Sequence, residues 1–94
     1  MTTVQVYHQL AQQHPNAMTP RILKIEQVGD YFIEFSEGSD FDHNPLYGVS
    51  VLYWNGQRFT GLHKFDSFNK SFNNRGEAIQ HFAKVKIIVA TRGR

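Results

Sequence analysis

The chain contains no cysteine. That excludes disulfides, thiolate metal sites and a cysteine nucleophile, and it fits a reducing compartment, with the cytoplasm as the default expectation. No apolar run approaches the ~18 residues that read as a membrane span. The opening MTTVQVYHQLAQQH has neither the basic region nor the apolar stretch of a secretory signal. Charge of one sign is also scarce. Ten Lys and Arg against eight Asp and Glu leave a formal net charge of +2, without a concentrated basic block, which is too little to imply nucleic acid as the partner. The glycines are scattered, so there is no phosphate-cradling loop, and neither a GxSxG elbow nor an HExxH pair occurs. No cofactor is expected.

Aromatic residues are plentiful instead. Eight Phe, four Tyr and one Trp in 94 residues supply much of the area that a chain of this length, enough for one domain over residues 1–94, needs to bury. The strongest local signal is residues 46–62, LYGVSVLYWNGQRFTGL. Asn55-Gly56 between two strand-like runs predicts a two-residue type I′ turn with positive φ at both positions. That register sets Trp54 opposite Gln57, Tyr53 opposite Arg58, Leu52 opposite Phe59, Val51 opposite Thr60 and Val49 opposite Leu62. One face then carries Leu46, Gly48, Ser50, Leu52, Trp54, Phe59, Gly61 and His63, and the other Tyr47, Val49, Val51, Tyr53, Arg58, Thr60 and Leu62. Gly48, Ser50 and Gly61 make one end of the first face small. The expected cause is a helix lying close over them, with a ligand groove as the alternative.

Upstream, Val4, Tyr7, Leu10 and Ala11 fall at helical spacing, so a first helix is expected from Thr2 or Thr3 to about His14, ended by Pro15. His8 and His14 are not spaced as two ligands on one helix face. Arg21–Val28 reads as a strand with Leu23 and Ile25 on one side and Lys24 and Glu26 on the other. Gly29-Asp30 turns the chain into a second strand, 31–36, with Tyr31, Ile33 and Phe35 opposite Phe32 and Glu34. These cleaner amphipaths are expected nearer the sheet edge than the third strand. Residues 37–45, EGSDFDHNP, read as a long loop, and 63–73 as an irregular segment whose Phe65, Phe68 and Phe72 plug the edge of the core. Asn74 with Glu77 has capping-box spacing for a second helix. Ala78, Ile79, Phe82, Ala83 and the stem of Lys86 form its expected buried stripe, with Ala78 and Ala83 facing Gly48, Ser50 and Gly61. Residues 85–90 suit either a helix end or an extended edge, and 91–94 a flexible tail. The fold class is therefore α+β: an antiparallel sheet of about four strands in the order α-β-β-β-β-α, with the C-terminal helix packed on one face.

Three functions compete. The first is a non-catalytic binding or regulatory module acting through protein contacts, with a protein partner or a second copy of the chain and no membrane. The loop with Asp40, Asp42 and His43 is the leading contact, since long loops on small domains carry function. Self-association as a two-fold dimer is expected because the central hairpin is apolar on both faces; cover by the first helix and the 65–72 segment is the alternative. The second is a single-stranded nucleic-acid module, in which Tyr53, Trp54, Arg58, Lys64 and Lys70 supply rings for stacking and cations for phosphates. The third is a small metal-dependent hydrolase built on Asp40, Asp42, His43 and His63. The loop lacks the sixth-position glycine and closing glutamate of an EF-hand.

Overall fold

The computed structural model describes residues 21–60 and 64–93. The expected first helix, the segment after it and residues 61–63 lie outside the described residues. The described chain runs β1 (Arg21–Val28), β2 (Tyr31–Ser39), β3 (Pro45–Trp54), β4 (Phe59–Thr60), a 3-10 turn at Asp66–Phe68, β5 (Lys70–Phe72) and α1 (Arg75–Arg92). This is the expected α+β arrangement, an antiparallel sheet with the C-terminal helix on one face. β1, β2 and β3 form a meander, so β2 is central rather than near an edge. The other side of β3 is shared. β4 pairs with Tyr53 and Trp54, while β5, in the segment expected to be irregular, pairs with Tyr47, Gly48 and Val49. Between them Asn69 Oδ1 accepts from the Val51 amide at 2.8 Å, so a side chain satisfies that backbone donor.

The core lies between the sheet and α1. Ile33, Phe35, Val49 and Val51 from the strands meet Ala78, Phe82, Val85 and Val89 from the helix, and Phe65 closes one end. Ile33 pairs with Val51 and Phe35 with Val49, so two apolar cross-strand pairs lie side by side. Phe68 and Phe72 pack against the edge of this cluster, as expected of plugging rings.

The helix corrects three expectations. It runs unbroken through residues 85–90, and Thr91 and Arg92 belong to its last turn, which closes with the Gly93 amide donating to Val89 O at 2.8 Å. Its buried stripe is Ala78, Phe82, Val85 and Val89, while Ile79 is half exposed and Ala83 is exposed. Steps of four, three and four follow the 3.6-residue turn better than the expected stripe does. Finally, α1 covers the Val49 and Val51 face, not Gly48 and Ser50. A stripe carrying one Phe and two Val removes the most apolar area from water against the face that carries the larger side chains. The start is as expected: Asn74 Oδ1 accepts from the Glu77 amide at 3.0 Å.

β1 differs on its charged side. The ladder to β2 slips between Ile22 and Lys24, and one extra residue there inverts the alternation. Leu23 packs against the core. Lys24 and Glu26 lie on the helix side, with Lys24 Nζ 5.7 Å from the Phe82 ring centre and 2.9 Å from Glu26. Glu26 also pairs with Lys86 of α1, and those two lysines hold its carboxyl below the usual carboxylate range, Lys86 the more strongly.

Candidate functional site

The contact residues expected from the sequence fall into separate places. Asp40, Asp42 and His43 lie in the β2–β3 turn. Tyr53, Trp54 and Arg58 lie at the other end of β3, whose ten residues span ~30 Å at ~3.3 Å each. Tyr53 and Trp54 point to opposite faces, Tyr53 against Tyr31 at 5.0 Å and Trp54 against Phe59 at 4.7 Å. Lys64 Nζ donates to Arg92 O at 2.8 Å, at the C-terminal end of α1, where a cation suits the helix dipole. Lys70 lies over the Phe72 ring. The aromatic and basic residues of the nucleic-acid reading are thus spread over both faces of the sheet.

The β3–β4 turn is not the expected one. Only Gly56 has positive φ there, and Trp54 faces Phe59 while Tyr53 faces Thr60. The turn is centred on Gly56-Gln57, one residue further along, so the register shifts by two. Positive φ at the first central position alone is the demand of a II′ turn, which glycine meets. Asn55 serves as the flanking residue: its Oδ1 accepts from both the Gln57 and the Arg58 amides at 2.9 Å, and its own amide donates to Arg58 O. The shift exchanges a Trp54–Gln57 pair for an aromatic one, and Phe59 also meets Phe32 edge-on at 5.2 Å. A shift of two leaves each side chain on its expected face.

At the opposite end the expected loop contracts. Glu37, Gly38 and Ser39 pair with Tyr47, Leu46 and Pro45, which leaves five residues, 40–44, as the connection. The His43 amide donates to Asp40 O and the Asp40 amide to Asn44 O. His43 has φ 64°. This is a type I turn followed by one left-handed residue, a common three-residue hairpin link. Asp is favoured at the first position of such a turn, and His is among the residues that tolerate the left-handed region. Asp40 also works through its side chain. Oδ1 accepts from the Asp42 and Asn44 amides at 2.9 Å each, and Oδ2 from Asn73 Nδ2 at 3.3 Å. Asn73 Nδ2 reaches Pro45 O at 2.9 Å as well. Those bonds, the Asn44 amide first, hold the Asp40 carboxyl below the usual carboxylate range.

Asp40 therefore organises the turn through its own carboxylate. Among the described residues no group of three His, Asp or Glu is placed to hold a metal ion, and His63 lies outside them. What the turn presents is Phe41, the second residue of the type I turn, whose side chain is 94% exposed. Asp42 and His43 beside it are exposed too. Sequence reasoning missed Phe41 because a phenylalanine reads as core. The available signal was its place in Asp-Phe-Asp-His-Asn, where asparagine and aspartate on both sides mark a turn tip.

No family model matches the chain, and neither does a curated protein or a solved structure. No helix among the described residues is long and apolar enough to cross a membrane.

Proposed function

We propose that the protein is a non-catalytic binding module that docks on another protein through the β2–β3 turn, with Phe41 as the anchor. The observation that supports this reading is the 94% exposure of Phe41 on a turn held by Asp40 and Asn73. An aromatic ring on a pre-formed turn loses little conformational freedom on binding, so most of its buried area contributes to affinity. Asp42 beside the ring favours a partner whose apolar pocket is rimmed by lysine or arginine.

A photo-crosslinking phenylalanine analogue at position 41, with the same analogue at exposed Gln57 as control, tests the reading in cells. The expected result is one adduct specific to position 41, whose purified partner binds the wild-type chain. Loss of a central aromatic anchor costs ~2 kcal/mol, about 30-fold in affinity, and Phe41→Ser should show that loss with an unchanged melting temperature. An adduct of twice the chain mass identifies a second copy as the partner. Equal adduct patterns at positions 41 and 57 would refute the assignment.

A further inference from the structure

The sheet face away from α1 carries a trough of about 280 Å³, at the small end for a ligand site. Its walls include Glu34 and Ser36 from β2, Leu46, Gly48 and Ser50 from β3, and Ser71 from β5. Neighbouring strands bring these together: Glu34 pairs with Ser50, Ser36 with Gly48, and Gly48 with Ser71. Gly48 and Ser50, two of the small residues noted in the sequence, thus line a concavity.

Two independent observations mark it as built for a polar ligand. Ser36 is only 6% exposed, and its hydroxyl has no hydrogen-bond partner among the described residues. It points over Gly48, where an added Cβ would come within 3.0 Å of Ser36 Oγ. Glycine at 48 keeps that hydroxyl open to the trough. Second, Glu34 is half-buried and has neither an ion pair nor a hydrogen bond among the described residues. Its cross-strand neighbours, Ile25 and Ser50, bring no cation, and burial raises its carboxyl above the usual carboxylate range. A buried carboxyl is ordinarily paired.

We infer that this trough binds a primary alkylammonium group, with Glu34 as counter-ion and the hydroxyls of Ser36, Ser50 and Ser71 as acceptors. An ammonium carries three donors and no acceptor, which matches one carboxylate flanked by hydroxyls. A guanidinium presents a planar fork and suits a bidentate carboxylate instead. The trough's size limits the ligand to a small amine or one lysine side chain. This inference uses a different surface from the Phe41 turn and stands or falls separately from it.

The test is a titration of the full chain, at neutral pH, with n-butylamine, N-acetyl-lysine methylamide, methylguanidine and n-pentanol. It is followed by amide chemical shifts and melting temperature. Saturable shifts at Ser36, Gly48, Ser50 and Ser71 are expected with the two ammonium ligands, with weaker binding of methylguanidine and none of pentanol. Glu34→Gln keeps the shape and removes the charge, and should weaken binding at least tenfold. Gly48→Ala narrows the trough and should do the same. Tighter binding of the lysine derivative than of butylamine makes a protein side chain the source, and the reverse makes it a free amine. Absence of saturable shifts, tighter binding of methylguanidine, or undiminished binding by a folded Glu34→Gln overturns the inference.

Discussion

The helical course of residues 85–90 can be tested with two substitutions. On a strand, Val85, Ile87 and Val89 would share a face. On α1, Val85 and Val89 are fully buried, whereas Ile87 is 67% exposed. Val85→Ala removes two methyl groups from the cluster formed with Ile33, Val49 and Val51. At ~0.8 kcal/mol per carbon the transfer loss is ~1.6 kcal/mol, and the cavity adds up to ~1 kcal/mol. Alanine's better helix propensity returns roughly 0.5 kcal/mol. The net loss is ~1–2 kcal/mol, or a melting temperature lower by about 4–16 °C for a domain near this size. Ile87→Ala removes little buried area and gains helix propensity, so its stability should change by less than ~0.5 kcal/mol in either direction. Urea denaturation of both variants at equal m-value reads the difference. A loss with Ile87→Ala as large as that with Val85→Ala would refute the helical placement.

Gly56→Val should destabilise by ~1 kcal/mol or more, because Gly56 has φ 96° and a β-branched residue is strained there; an unchanged urea midpoint would contradict the turn. Asp40→Ala should destabilise at neutral pH through the loss of the turn's acceptors. The folded-state pKa of Asp40 is lowered, so its contribution is present above the ordinary aspartate value of about 3.9 and disappears as pH falls through the folded value. The gap between wild type and Asp40→Ala should therefore narrow in acid denaturation as pH falls below the ordinary aspartate value of about 3.9; a constant gap would count against ionised Asp40 as the cap. Glu34→Gln has the opposite sign. A carboxyl with a raised folded-state pKa costs nothing below the ordinary glutamate value of about 4.3, and destabilises increasingly as pH rises toward and past the folded value. The glutamine variant should gain stability over wild type at pH ~7 and lose that advantage near pH ~3, and a pH-independent difference in melting temperature would exclude a desolvated carboxylate.

Local signals in the sequence determined the span of β1 though not its faces, the Gly29-Asp30 turn, the start of β2 and the cap at Asn74. In each case the deciding interaction spans a few residues: a glycine at φ 61°, or one side-chain oxygen on an amide three positions away. The same holds for face alternation within β2 and β3, which follows from the pleat. Partner choice was not local. Asn55-Gly56 suits two turns that differ by one residue in their centre. The contact of Phe59 with Trp54 and Phe32, which exists only once three strands are assembled, accompanies the one adopted. The pairing of residues 37–39 likewise depends on β3 lying alongside them. Which face α1 covers, and with which stripe, is a comparison of buried areas that needs both surfaces in place. Those long-range choices decided the chemistry. They left Phe41 at a turn tip and placed Glu34, Ser36, Ser50 and Ser71 around one trough, while the sequence alone shows only a phenylalanine in a polar stretch and a glutamate in a strand.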